Sequence, residues 1–243
     1  AELDEFCWQA GQRAQLLYDT ALACRMRPFA DVLVGQERMV RDLGRALGKQ
    51  IRLEIEGEKT QVDRDVLEKL EAPLTHLLRN AVDHGIETPE ERLAAGKSAQ
   101  SIVELSAQQV GDHIVIEVAD DGRGMNAGML RKKALEKGLI DLEQANSMDD
   151  KQALHLIFLP GFTTKSEISS VSGRGVGMDV VRTNIQKLNG RIDISSAPNE
   201  GTRISISLPL TLAILPVLVA RVCDQSFAMP LAMVREIIPI AAD

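Results

Sequence analysis

Aromatic side chains are scarce, at 3% of the 243 residues. That is too few to build a surface on which nucleic-acid bases stack. An excess of basic residues is also missing. The formal net charge is −7, which argues against nucleic acid or an anionic membrane as the main partner. Cysteine is rare and odd in number: Cys7, Cys24 and Cys223 are widely spaced and lack metal-ligand spacing. They read as reduced thiols of a cytoplasmic protein. Long apolar runs are absent. The longest, residues 208–220, is broken by Pro209, Thr211 and Pro216 and is too short to span a bilayer, so no membrane insertion is expected. The start carries no signal-peptide pattern. With 44% hydrophobic and 26% charged residues, the composition suits a globular chain with one sizeable core. The pattern begins and ends in mid-element, the expectation for a piece of a longer chain.

What the sequence does have is a helical stretch at residues 74–87, LTHLLRNAVDHGIE. At helical period Leu74, Leu77, Leu78, Ala81 and Val82 form one apolar stripe. His76, Arg79, Asn80, Asp83 and His84 share the other side. Pro73 suits a first helical turn, and Gly85 suits the left-handed position just past the end. Alone, this polar face is as much that of a solvated amphipathic helix. Two glycine motifs downstream change the balance: DDGRGM at 120–125 and GRGVGM at 173–178.

Residues 2–47 have a helical pattern with a break at Pro28; Arg25, Arg27, Arg38 and Arg41 read as solvated or paired surface residues. Ile51, Leu53 and Ile55 alternate with polar residues, and after Gly57 residues 60–62 can return as a second strand. Asp65, with Glu68 three residues on, can cap the following helix. Residues 88–100 read as a polar surface helix and loop. Residues 102–109 and 113–119 alternate around Gly111-Asp112 as a hairpin, so Asp120 falls where a strand meets a glycine loop. Residues 130–137 and 149–159 read as helices. Residues 161–172, rich in Thr, Ser and Gly, read as a mobile loop, and 176–188 as a helix ended by Asn189-Gly190. A last hairpin joins 192–196 to 203–208. The elements add up to an α/β (α+β) two-layer sandwich, helices covering a mixed, largely antiparallel sheet.

The three boxes in this order resemble those of the histidine kinase, gyrase and mismatch-repair ATPase superfamily. HLLRNAVDHGIE with SGRGVGMDVV resembles specifically the chemotaxis-type (CheA) sensor histidine kinases, as do RMRPF and VRDLGRALGK. The resemblance implies a Bergerat-type ATP-binding fold divided at three places. Residues 1–27 would end a dimerisation helix and linker, 28–210 would form the ATP-binding catalytic domain, and 211–243 would begin a CheW-like coupling domain. Residues 211–243 are too few for that domain's barrel, and a capping strand and helix of the first domain is the alternative.

The resemblance implies Mg²⁺ and ATP. The Asp120 carboxylate would accept the adenine amine, with Gly122 and Gly124 letting backbone approach the base, while Asp121 reads as a loop-capping residue. Asn80 would be the Mg²⁺ ligand, with Asp83 beside it and His76 and His84 one turn to either side, facing the phosphates. Gly173, Arg174, Gly175, Val176, Gly177 and Met178 would close over the phosphates at a helix N-terminus. Phe158 and Phe162 would pack the base of that lid, and Lys165 would contact the γ-phosphate. A zinc site at His76, Asp83 and His84 is conceivable, with no fourth ligand evident. The water-activating members of the superfamily carry glutamate four residues before the Mg²⁺ asparagine; here stands His76, so transfer to another nucleophile is expected rather than hydrolysis. The acceptor would be a histidine on a separate phosphotransfer domain, since neither His113 nor His155 has a phosphoacceptor setting. A coupling protein, receptors, a downstream response regulator and a homodimeric full-length protein are the implied partners. A non-catalytic array adaptor and a related ATPase or serine kinase are the alternatives.

Overall fold

The computed structural model describes residues 2–162, 177–210, 217–230 and 233–236. Eight helices and nine strands are laid down among them. Helix α1 (Glu2–Ala23) leads through strand β1 (Met26–Pro28) and a 3₁₀ turn to α2 (Gln36–Ala46), and β2 (Gln50–Glu56) and β3 (Gln61–Asp63) precede the long α3 (Arg64–Asn80). Then come α4 (Pro89–Ala94), β4 (Gln100–Val110), β5 (His113–Asp120), α5 (Ala127–Glu136), α6 (Leu142–Ser147) and α7 (Asp150–Leu154). Helix α8 (Met178–Lys187), β6 (Arg191–Ala197), β7 (Gly201–Pro209), β8 (Val217–Val222) and β9 (Gln225–Pro230) complete the order.

A five-stranded sheet runs β2-β4-β5-β7-β6, and only its β2–β4 edge is parallel. The alternation read from the sequence has a direct cause here. Ile114, Ile116 and Val118 of β5 and Ile204, Ile206 and Leu208 of β7 point into the core beneath the helices. Their neighbours Glu117 and Arg203 face the other way and pair at 2.8 Å. From the helix layer, Leu74, Leu77 and Leu78 of α3 and Val181, Ile185 and Leu188 near α8 are almost wholly buried against the same core. Each such side chain contributes about 1.5–3 kcal/mol when removed from water.

Several expectations are corrected. Strands β2 and β3 do not form a hairpin. Gly57 accepts from Thr60 N in a turn, and β3 pairs instead with β1. Strand β2 pairs parallel with β4, as the helical crossover between them allows. Helix α3 starts at Arg64, so Pro73 lies in its interior rather than in its first turn. An interior proline forfeits one helical hydrogen bond, yet Val66, Leu67 and Leu70 before it and Leu74, Leu77 and Leu78 after it are all buried. Packing on both sides outweighs the local penalty. The cap is Asp63, accepting from Asp65 N at 2.8 Å, and Glu68 pairs with Arg64. The expected helix at 149–159 divides into α7 and a 3₁₀ turn (His155–Phe158).

Asp63 also holds the approach to the domain. It is fully buried and receives Arg25 Nε at 2.9 Å, while Arg25 Nη2 reaches Asp65 at 2.7 Å. Arg27 pairs with Asp31, and Arg38 and Arg41 with Asp42, as expected of surface arginines. Asp63→Ala removes both the cap and the partner of Arg25 and is expected to lower stability by about 1–3 kcal/mol. Asp63→Asn, which keeps a capping oxygen, should lose less; urea denaturation of the two variants measures the difference.

Candidate nucleotide site

The polar face of α3 opens onto a cavity of about 370 Å³. His76, Arg79, Asn80, Asp83 and His84 line it from the helix, and Asp120 and Thr202 line it from the sheet. The rest of the lining is largely apolar, with Leu77, Val118, Met125, Ile157, Phe162 and Ile204 among its residues, and it includes Lys133. All five polar positions read from helical periodicity thus reach one space, and the stripe at Leu74, Leu77, Leu78, Ala81 and Val82 is buried behind them.

The C-terminal end of α3 departs from expectation in a useful way. Gly85 does not adopt the left-handed conformation. The chain instead widens into a π turn (Ala81–Gly85), with Ile86 N donating to Ala81 O at 2.9 Å. Lys49 satisfies two carbonyls of that turn, its Nζ donating to Val82 O at 2.8 Å and Asp83 O at 2.7 Å. Orphan carbonyls at a helix end require such partners. Gly85 is needed for a different reason: a Cβ there would stand 3.1 Å from both carboxylate oxygens of Asp120. Facing it, a Cβ on Gly122 would meet Gly85 O at 2.1 Å, so backbone packs on backbone and no side chain fits between. Gly124, at φ 63°, turns the loop along β6 and β7.

Asp120 ends β5 with its Oδ1 accepting from Gly122 N at 2.9 Å. Burial pushes its pKa up to about 6; the Gly122 N–H opposes the shift, and neighbouring Asp121 adds to it. His76 moves down from its ordinary value, chiefly through burial and then through the charges of Arg79 and His84, against a smaller pull from Asp179. It is therefore a neutral imidazole at neutral pH, a hydrogen-bonding group rather than a cation. His84 is more open, 3.6 Å from Asp83. Asn80 Nδ2 donates to Met178 Sδ at 3.2 Å. That contact leaves Oδ1, which makes no hydrogen bond among the described residues, as the free hard oxygen of this end.

Of the residues expected in the site, His76, Asn80, Asp83, His84, Asp120, Gly124 and Met178 line the cavity. Gly122 lies behind it against Gly85, and Gly177 caps α8. Lys165, Gly173, Arg174, Gly175 and Val176, and with them most of the expected lid, lie outside the described residues. Phe158 and Phe162 are buried, but the segment they were expected to support lies outside the described residues. Among the described residues no three His, Cys, Asp or Glu side chains are grouped to hold a metal ion. Sequence reasoning missed Thr202, which the β5–β7 register sets opposite Asp120. It missed as well Lys49, which has no pattern to single it out, and Lys133 of the basic run RKK, which lines the cavity.

The described residues contain no helix long and apolar enough to cross a membrane. A family model described as "Histidine kinase-, DNA gyrase B-, and HSP90-like ATPase" matches residues 69–212, which include the cavity walls. The chain belongs to this ATP-binding family. It is also 49% identical over 219 residues to the sensor histidine kinase CheAY of Helicobacter pylori, covering 90% of this chain and 27% of that protein. It is 46% identical over 225 residues to the chemotaxis protein CheA of Rhizobium meliloti (93% and 29%). With the Bacillus subtilis CheA it shares 44% over 220 residues (90% and 33%). The chain thus spans about a quarter to a third of the length of these curated relatives. Within the family it is a catalytic domain of the CheA histidine kinase type.

The buried Asp120 carries a stability cost. Well below the ordinary carboxylate range the group is protonated in folded and unfolded chains alike and has no effect. As pH rises towards 6 the unfolded chain releases its proton first, so stability falls, and above about 6 the loss is complete. Asp120→Asn is expected to be more stable than the parent by about 1–3 kcal/mol at pH 8. The two should converge at pH 4 or below; thermal unfolding across that range measures it.

Proposed function

We propose that this domain binds Mg-ATP across the cavity and transfers the γ-phosphate to a histidine on a separate phosphotransfer domain. The observation that carries the proposal is that Asp120 and Asn80 line one cavity whose remaining walls are largely apolar. A half-buried carboxylate with apolar walls beside it suits an aromatic base bearing an amine. An amide oxygen with two imidazoles suits metal-bridged phosphates. Asn80 Oδ1 would hold Mg²⁺ alongside phosphate oxygens and water, and the metal when bound would offset phosphate charge. The α8 N-terminus at Gly177 and Met178 supplies N–H groups on the same side. The assignment of Lys165 and residues 173–176 to the phosphates rests on the sequence alone.

His76 determines the choice of acceptor. It stands four residues before Asn80, where the water-activating members of the superfamily carry a glutamate, and no carboxylate takes that place here. Asp83 lies seven residues on, about 10 Å along the axis. Water is therefore left without the carboxylate base of the hydrolytic relatives, whereas an acceptor imidazole already has a nucleophilic lone pair. Rate enhancement then comes from positioning and charge stabilisation. The exposed settings of His113, beside Asp112, and of His155, beside Asp193, are away from the cavity, consistent with an acceptor on another domain. In the whole protein we place this chemistry in chemotaxis-type two-component signalling in the cytoplasm. The partners would be receptors, a CheW-like coupling protein and a downstream response regulator.

The deciding experiment is incubation with labelled ATP, with and without a phosphotransfer domain. Alone, the domain should turn ATP over slowly; with the partner, acid-labile, base-stable phosphate should form on the partner's histidine. Rapid hydrolysis without any partner would return the chain to the ATPase branch. Asn80→Ala is expected to abolish transfer while the fold persists by circular dichroism. His76→Glu should shift the balance from transfer towards hydrolysis, as phosphate release would report. Asp120→Ala should weaken ATP binding by about 1–3 kcal/mol in titration calorimetry.

A further inference from the structure

Residues 88–100 were expected to be a polar surface helix and loop, yet Arg92 among them is one of the most completely enclosed side chains, at 2% exposure. Every hydrogen bond it makes is directed. Nε donates to Ser98 O at 2.6 Å, Nη1 to Glu87 Oε2 at 3.3 Å, and Nη2 to Asp121 Oδ2 at 2.7 Å. Nη1 also reaches Asp121 O at 3.2 Å and its Oδ1 at 3.1 Å. Lys97 completes the pattern, its Nζ donating to Glu87 Oε1 at 3.0 Å, Asp121 O at 3.0 Å and Gly122 O at 2.6 Å. Asp121 in turn accepts from Ser101 Oγ and from Ile102 N at 3.1 Å. Two cations and two carboxylates balance, and the burial of Arg92 and Glu87 is tolerable only because each is paired.

The position of this cluster is informative. Its two cations grip the carbonyls of Asp121 and Gly122, the residues directly after the carboxylate assigned to adenine. Its Glu87 lies two residues after Gly85, whose carbonyl accepts from Arg123 N at 2.8 Å. The same ion cluster therefore ties the adenine loop to the end of the helix that carries Asn80 and His84.

We infer that Lys97 and Arg92, bridged by Glu87, are positioning residues that hold the Asp120–Gly122 loop in register with α3 and so determine recognition of the base. Neither touches the cavity wall; both act through backbone carbonyls. A role confined to stability would lower the melting temperature and leave base preference unchanged, whereas a positioning role alters the preference itself. The inference rests on the adenine assignment of Asp120, and the test separates the two.

Because Arg92 is enclosed, the test uses Lys97, whose side chain is 16% exposed. Binding of ATP and of purine riboside triphosphate, which lacks the 6-amino group, is measured for the parent, Lys97→Met and Lys97→Arg. The parent should prefer ATP by about fivefold or more, one hydrogen bond's worth. Lys97→Met should bring that preference close to unity, and Lys97→Arg, which can still donate to both carbonyls, should keep most of it. Amide exchange at Gly122 and Arg123 should quicken in Lys97→Met relative to α3. Undiminished preference and unchanged exchange in Lys97→Met would overturn the inference alone. Equal affinities of the parent for both nucleotides would overturn the Asp120 assignment and the inference with it.

Discussion

The closest constraint in this domain is the contact of backbone on backbone where the end of α3 meets the loop after β5. Arg123 N donates to Gly85 O, and Gly122 lies against the Gly85 peptide with no room for a Cβ of its own. Layers separated by ordinary side chains stand about 10 Å apart. Here the helix layer and the sheet layer touch through main chain alone, at one edge of the cavity. The contact sets the distance from Asp120 to the polar face of α3, and therefore the separation of the two ends of the site.

Charge is handled differently on the two sides of that contact. On the side away from the cavity, Arg92, Lys97, Glu87 and Asp121 satisfy one another. Burial works against the ionised form of Asp121, but hydrogen bonds from Ser101 and Arg92 hold its pKa below the ordinary value. One residue earlier, Asp120 faces the cavity with backbone N–H groups but no cation beside it among the described residues, Gly122 N donating at 2.9 Å, and burial raises its pKa instead. Two adjacent carboxylates thus take opposite roles because one has cations in reach and the other an apolar slot. The one without a cation lines the cavity, as is common where stability is exchanged for recognition.

The α3 helix illustrates how tertiary packing overrides local rules. Proline in its interior and a π turn at its end are both unfavourable in isolation. The interior proline is tolerated because the apolar stripe is buried along the whole length of the helix. The wide turn is held by Lys49, which reaches across from the start of β2 to two carbonyls. The wider turn places Asp83 and His84 on the cavity side together with Asn80.

Periodicity alone determined which face of residues 74–84 is core and which is site, since a 3.6-residue repeat has only one consistent reading. Alternation did the same for the hairpins β4–β5 and β6–β7, and the spacing of Asp120 from Gly122 and Gly124 singled out the acidic residue of the loop. These are features set by neighbours in the chain. The partners of β2 and β3, the buried ion cluster around Arg92, and the placing of Thr202 opposite Asp120 join residues between 5 and 82 positions apart. A lysine that clamps a distant carbonyl looks, in sequence, like any solvated lysine, because the recognising group on the other side is backbone and carries no letter. For the same reason Gly85 read as a helix cap: its lack of a side chain was visible, but what it makes room for, the Asp120 carboxylate, is decided only when the two layers meet.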